Sequence, residues 1–116
     1  MYWTTKDGKE IDIGDLETSH LINIIKMLVK NVAYKLQAHE PIYYGEYGSM
    51  SMCDDDIYYE CYPVYADNIN VALGMFAEWD GLRAELTKRL GSHEFLELCN
   101  KYLVSLGYDY EVDEVQ

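Results

Sequence analysis

The sequence predicts an α+β fold: an N-terminal β-hairpin and short tyrosine-rich strands packed with about three α-helices, in one domain over residues 1–116. Three observations predict it. An Asp-Gly dipeptide sits between two short alternating stretches. Three segments repeat apolar residues at helical spacing. A central section rich in tyrosine and glycine has no helical period at all.

Residues 2 to 13 read as the hairpin. Trp3 and Thr5 alternate with polar neighbours, as do Ile11 and Ile13. Asp7-Gly8 between them suits a two-residue type I′ turn, in which both central residues need positive φ. The strongest helix follows. Leu21, Ile25, Leu28, Val32 and Leu36 form one face, adjoined by Ile22, Ile24, Val29 and Ala33. Thr18 or Ser19 is placed to cap its start, Asp15 and Glu17 suit the positive end of its dipole, and Pro41 stops it near Glu40.

Residues 41 to 66 carry two candidate strands, Ile42 to Tyr47 and Ile57 to Tyr65, which would pair across the SMSMCDDD segment. A second helix starts near Asp67 or Asn68, with Ala72, Met75, Trp79, Leu82, Leu86 and Leu90 on one face and Phe76 beside it. A bend is expected at Gly81 and an end at Gly91. Ser92 would cap a third helix, with Phe95, Cys99, Tyr102 and Leu106 inward, Leu96 and Leu103 adjoining, and Gly107 closing it. The tail YDYEVDEVQ alternates apolar and acidic residues, as an edge strand or a frayed acidic end would.

Charge narrows the classes of function. Twenty-one acidic against nine basic residues give −12. Such a surface repels nucleic acid and anionic membranes and favours basic partners. No stretch approaches the length of a membrane span, and the start MYWTTKDGKE has no apolar signal segment, so a cytoplasmic protein is expected. Cys53, Cys61 and Cys99 fit no zinc spacing and are expected as reduced thiols. A Cys53–Cys61 disulfide would need oxidising surroundings.

Nothing in the chain carries a catalytic signature. There is no phosphate-binding glycine loop, no G-x-S-x-G, no H-E-x-x-H and no C-x-x-C, and His20, His39 and His93 are far apart. Asp54-Asp55-Asp56 resembles the opening of a calcium loop, but Tyr59 replaces its glycine and Tyr65 its closing glutamate. The expectation is therefore a binding protein, not an enzyme, with no metal and no cofactor.

The informative pattern is larger. Between Lys35 and Arg83 no Lys or Arg occurs, while nine carboxylates and seven of the twelve tyrosines fall inside. Either the tyrosines form core and the acids a solvated rim, or tyrosines stay exposed among carboxylates. The second arrangement makes an interface: tyrosine orders cheaply, and carboxylates attract Arg and Lys of a partner. The candidate contact residues are Asp54, Asp55, Asp56 and Glu60, with Tyr58, Tyr59 and Tyr62. A different reading places a nucleotide immune signal in a pocket near Trp79, lined by the basic cluster Arg83, Lys88 and Arg89, which would hold phosphate.

Residues 3 to 28, WTTKDGKEIDI followed after a short gap by ETSHLINIIKML, resemble the start of small phage and prophage proteins of obscure function. The resemblance covers about a quarter of the chain. It implies a mobile-element origin inside a host bacterial cell. It also implies an anti-defence role of the anti-CRISPR kind, in which a DNA mimic occupies the basic surface of a host protein. Sequestration of a nucleotide signal, or service as a structural or adaptor subunit of a phage particle, are the alternatives. Homo-oligomerisation is compatible with each.

Overall fold

The longest element, α1 (Thr18–Ala38), is the axis on which the molecule is built. Its buried positions, Leu21, Ile24, Ile25, Leu28, Val29, Val32, Ala33 and Leu36, follow the predicted stripe, because steps of three and four keep side chains on one side of a 3.6-residue helix. The computed structural model describes residues 2–4, 8–45 and 61–114.

Two short ladders flank this helix. Strands β1 (Tyr2–Thr4) and β2 (Glu10–Asp12) pair antiparallel, with Trp3 opposite Ile11 and Thr4 opposite Glu10. That register corrects the predicted turn. A two-residue loop at Asp7-Gly8 would set Thr4 opposite Ile11, so the strands are joined by an odd number of residues, and Gly8 stands at φ 85°. Strands β3 (Ile42–Gly45) and β4 (Cys61–Val64) also pair antiparallel, Ile42 with Val64 and Gly45 with Cys61. They fall inside the two predicted strands. Pro63 is tolerated in β4 because each strand of a two-stranded ladder has an unpaired edge.

The second predicted helix is two helices. α2 (Ile69–Gly74) begins at Asn68, whose side chain accepts from the N–H groups of Asn70 at 2.8 Å and Val71 at 3.3 Å. It stops at Gly74, and α3 (Ala77–Leu90) restarts from extended Phe76. The break therefore falls at Met75–Phe76 and not at Gly81. Burial explains the choice: the break lets Leu73, Phe76, Trp79 and Leu82 all reach the core, at the cost of leaving Met75 39% exposed.

α4 (Ser92–Ser105) follows at once. Gly91, at φ 95°, ends α3 and begins α4, so Ser92 is the first residue of the helix and not its cap. The buried face of α4 is Phe95, Cys99 and Leu103. Tyr102 is only half-buried and Leu106 is 38% exposed, so the predicted face is rotated. The Trp79 and Phe95 rings meet at 6.1 Å across α3 and α4.

Among the described residues the architecture is thus mostly helical, with four α-helices. The helices pack on one another around α1 and do not cover a sheet, because ladders of three and four residues present too little apolar face to serve as a layer. Among the described residues the buried side chains form one cluster, from Ile13 at the N-terminal side to Val112 in the tail.

Candidate functional site: exposed acids and two bonded arginines

The predicted contact residues fall largely outside the described chain. Asp54, Asp55, Asp56, Tyr58, Tyr59 and Glu60 lie outside the described residues, as does any Cys53–Cys61 pairing. Tyr62 is placed in β4 opposite Tyr44, with its side chain outside the description. Of the central tyrosines, Tyr65 is described, and it is 73% exposed. Of the other carboxylates in the basic-free span, Glu40, Asp67 and Asp80 are exposed and Glu78 is half-buried.

The two arginines behave differently. Arg89 reaches back from the last turn of α3 to the segment before α1. Its Nη1 donates to the Leu16 carbonyl at 2.7 Å and to Thr18 Oγ1 at 3.1 Å, its Nη2 to the Gly14 carbonyl at 3.0 Å, and its Nε to Glu85 Oε1 at 3.1 Å. Thr18 therefore serves Arg89, and Glu17 stands at the N-cap of α1 without a capping side-chain bond. Arg83 donates to the Asp113 carbonyl and lies over the Phe95 ring at 5.5 Å. Lys26 lies over Tyr102 at 5.2 Å, Lys35 is 3.8 Å from Glu40, and Lys101 is 2.7 Å from Glu97. That last contact, first as a hydrogen bond and then as a charge pair, holds the Glu97 carboxyl below its usual range and the Lys101 ammonium above its own.

Arg83, Lys88 and Arg89 do not form one patch. The Arg83 guanidinium is bonded to the tail and that of Arg89 to the segment before α1, and Lys88 is exposed. Trp79 is 3% exposed and offers no face for a base to stack on. The cleft beside Arg83 measures about 260 Å³ and is lined by Thr87, Ser92, Phe95, Leu96 and Glu114 as well. Cys99 lies near this arginine, yet burial pushes its thiol up to about 12, so it is a core atom and not a nucleophile at neutral pH. None of the described His, Cys, Asp and Glu residues groups into a metal-holding set. No described helix is long and apolar enough to cross a membrane.

The tail supplies acidic residues that the sequence reading did not single out. Residues 108–114 run extended along α4. Val112 is buried and Tyr108 and Tyr110 are half-buried, whereas Asp109, Glu111, Asp113 and Glu114 are exposed. The alternation in YDYEVDEV is the signal for this, since residues two apart share a side of an extended chain. Among the described residues no strand pairs with it. Asn100 and Asn70 hold it, by bonding to its main chain: Val112 N–H donates to Asn100 Oδ1 at 2.7 Å and Asn100 Nδ2 to the Val112 carbonyl at 3.2 Å. Asp113 N–H donates to Asn70 Oδ1 at 2.8 Å and Asn70 Nδ2 to the Glu111 carbonyl at 3.0 Å. An acidic ribbon is thereby fixed on the surface, its apolar residues inward and its carboxylates outward. The chain matches no protein-family model, no curated protein and no solved structure.

Proposed function

We propose that this chain is a non-enzymatic inhibitor of phage or prophage type, which binds a basic, nucleic-acid-binding surface of a host defence protein. The observation that carries the reading is the unequal use of charge. Arg83 and Arg89 are bonded to the chain's own carbonyls, while Glu40, Asp67, Asp80, Asp109, Glu111, Asp113 and Glu114 are exposed. The surface as a whole carries the net −12, with Lys9, Lys30, Lys88 and Lys101 exposed as well. Carboxylates then stand where phosphates otherwise lie on the partner, and tyrosines such as the exposed Tyr65 add contact area at low entropic cost.

The nucleotide-sponge reading loses support, because the two arginines it needs already donate to main-chain carbonyls. The test is capture of the partner from a bacterial host lysate, followed by binding kinetics of a variant with Asp54, Asp55 and Asp56 changed to Asn. Association at low salt is expected to slow by roughly tenfold with folding intact. Unchanged kinetics and an unchanged salt response would remove the acidic-contact reading.

A further inference from the structure

Residues 108–114 form a strap rather than a frayed end, and its surroundings are unbalanced. The cleft of about 330 Å³ beside it is lined by His93, Glu97, Asn100, Glu111, Asp113 and Glu114 among others. Four of these are carboxylates. On α4, Glu97 is bonded to Lys101 at 2.7 Å and stands 3.6 Å from the exposed His93, with Glu94 exposed one turn earlier. On α3, Arg83 faces the strap, and its hydrogen bond goes to the Asp113 carbonyl. The contacts of the strap with α2 and α1 come through the neutral amides of Asn70 and Gln37. The strap is held by hydrogen bonds to its main chain, by Asn70 Nδ2 donating to Asp113 Oδ2 at 3.2 Å, by the Arg83 guanidinium and by the burial of Val112, against repulsion among the remaining carboxylates.

A pivot is present. α4 ends in a Schellman arrangement, Gly107 N–H donating to the Val104 carbonyl at 2.9 Å and Tyr108 N–H to the Leu103 carbonyl at 3.0 Å, with Gly107 at φ 85°. Only glycine adopts that conformation without strain, and residues 108–114 beyond it have no regular secondary structure.

We propose that the C-terminal strap is a latch that opens and closes as a unit about Gly107, and that carboxylate crowding along α4 sets its closed population. Screening or neutralising those carboxylates closes it, and a basic partner that covers Glu111 and Glu114 acts in the same direction.

Amide hydrogen exchange on the intact protein reads the latch directly, since the Val112 and Asp113 N–H groups are held by Asn100 and Asn70. Protection, referenced to an isolated peptide of the strap sequence at the same salt, is expected to rise roughly threefold to tenfold between about 0.01 M and 0.3 M salt. Protection of Val29 N–H in the α1 core serves as the internal control. A variant with Glu111→Gln and Glu114→Gln should show the high-salt protection already at low salt. Equal protection at both salts overturns the proposal. So does an equal rise at Val29, which would mean whole-molecule self-repulsion, and so does a double variant that keeps the full salt response.

Discussion

Asn100 holds Val112 by both of its main-chain polar groups, accepting from the N–H at 2.7 Å and donating to the carbonyl at 3.2 Å. One side-chain amide thereby reproduces the two hydrogen bonds that a neighbouring strand would supply, and it does so from a helix.

Asn100→Ala should therefore uncouple the strap. It leaves the half-buried main chain of Val112 without its partner, which costs about 1–3 kcal/mol. Chemical denaturation should show that loss, and exchange at Val112 should accelerate more than exchange in α1. Asn70→Ala, at a more exposed position, should cost less.

Arg89 is the staple between the end of α3 and the turn before α1. Arg89→Lys keeps the charge but cannot reach Gly14, Leu16 and Thr18 together, because an ammonium lacks the planar fork. About 1–3 kcal/mol should be lost in urea unfolding. Glu85→Ala, which leaves three of the four bonds in place, should lose less.

His39 closes α1 in the left-handed region, at φ 55°, with its N–H on the Leu36 carbonyl and Glu40 N–H on that of Lys35. A side chain is strained there by about 1 kcal/mol. His39→Gly should raise stability by about 0.5–1 kcal/mol, since relief of that strain exceeds the added freedom of the unfolded chain. Thermal unfolding of the two proteins decides it.

Cys99 sets a limit at high pH. Its folded thiol titrates at about 12, raised by burial, against 9.0 in the unfolded chain. Between those values the unfolded state has lost a proton that the folded state keeps, so stability falls as pH rises through that window. Below pH 9 this contribution is flat. Cys99→Ser should remove most of the alkaline slope that Cys99 adds in urea midpoints. In the native wild-type protein, Cys99 should resist thiol reagents at pH 8 in the absence of denaturant.

Much of the local structure was legible in the chain. The stripe of α1 could be read because an amphipathic helix encodes its buried side in residue spacing alone, and β3 and β4 because β-favouring residues flank a break in that period. The break after Gly74 could not. Met75 has the right spacing for the helix face, and only competition among Phe76, Trp79 and α1 for one interior decides which of them is left outside. For the same reason α4 is rotated to bury Leu103 and leave Leu106 at the surface.

By itself the sequence determined the helical segments, the acidic balance and the basic-free centre, since these depend on residue identity and near neighbours. Tertiary structure alone decided where the charges point. Arg89 and Gly14 are 75 residues apart, and Asn70 and Asp113 are 43 apart. Whether an arginine is a ligand for something outside or a staple for its own chain depends on which carbonyls the fold brings within about 3 Å of it, and spacing along the chain carries no record of that distance.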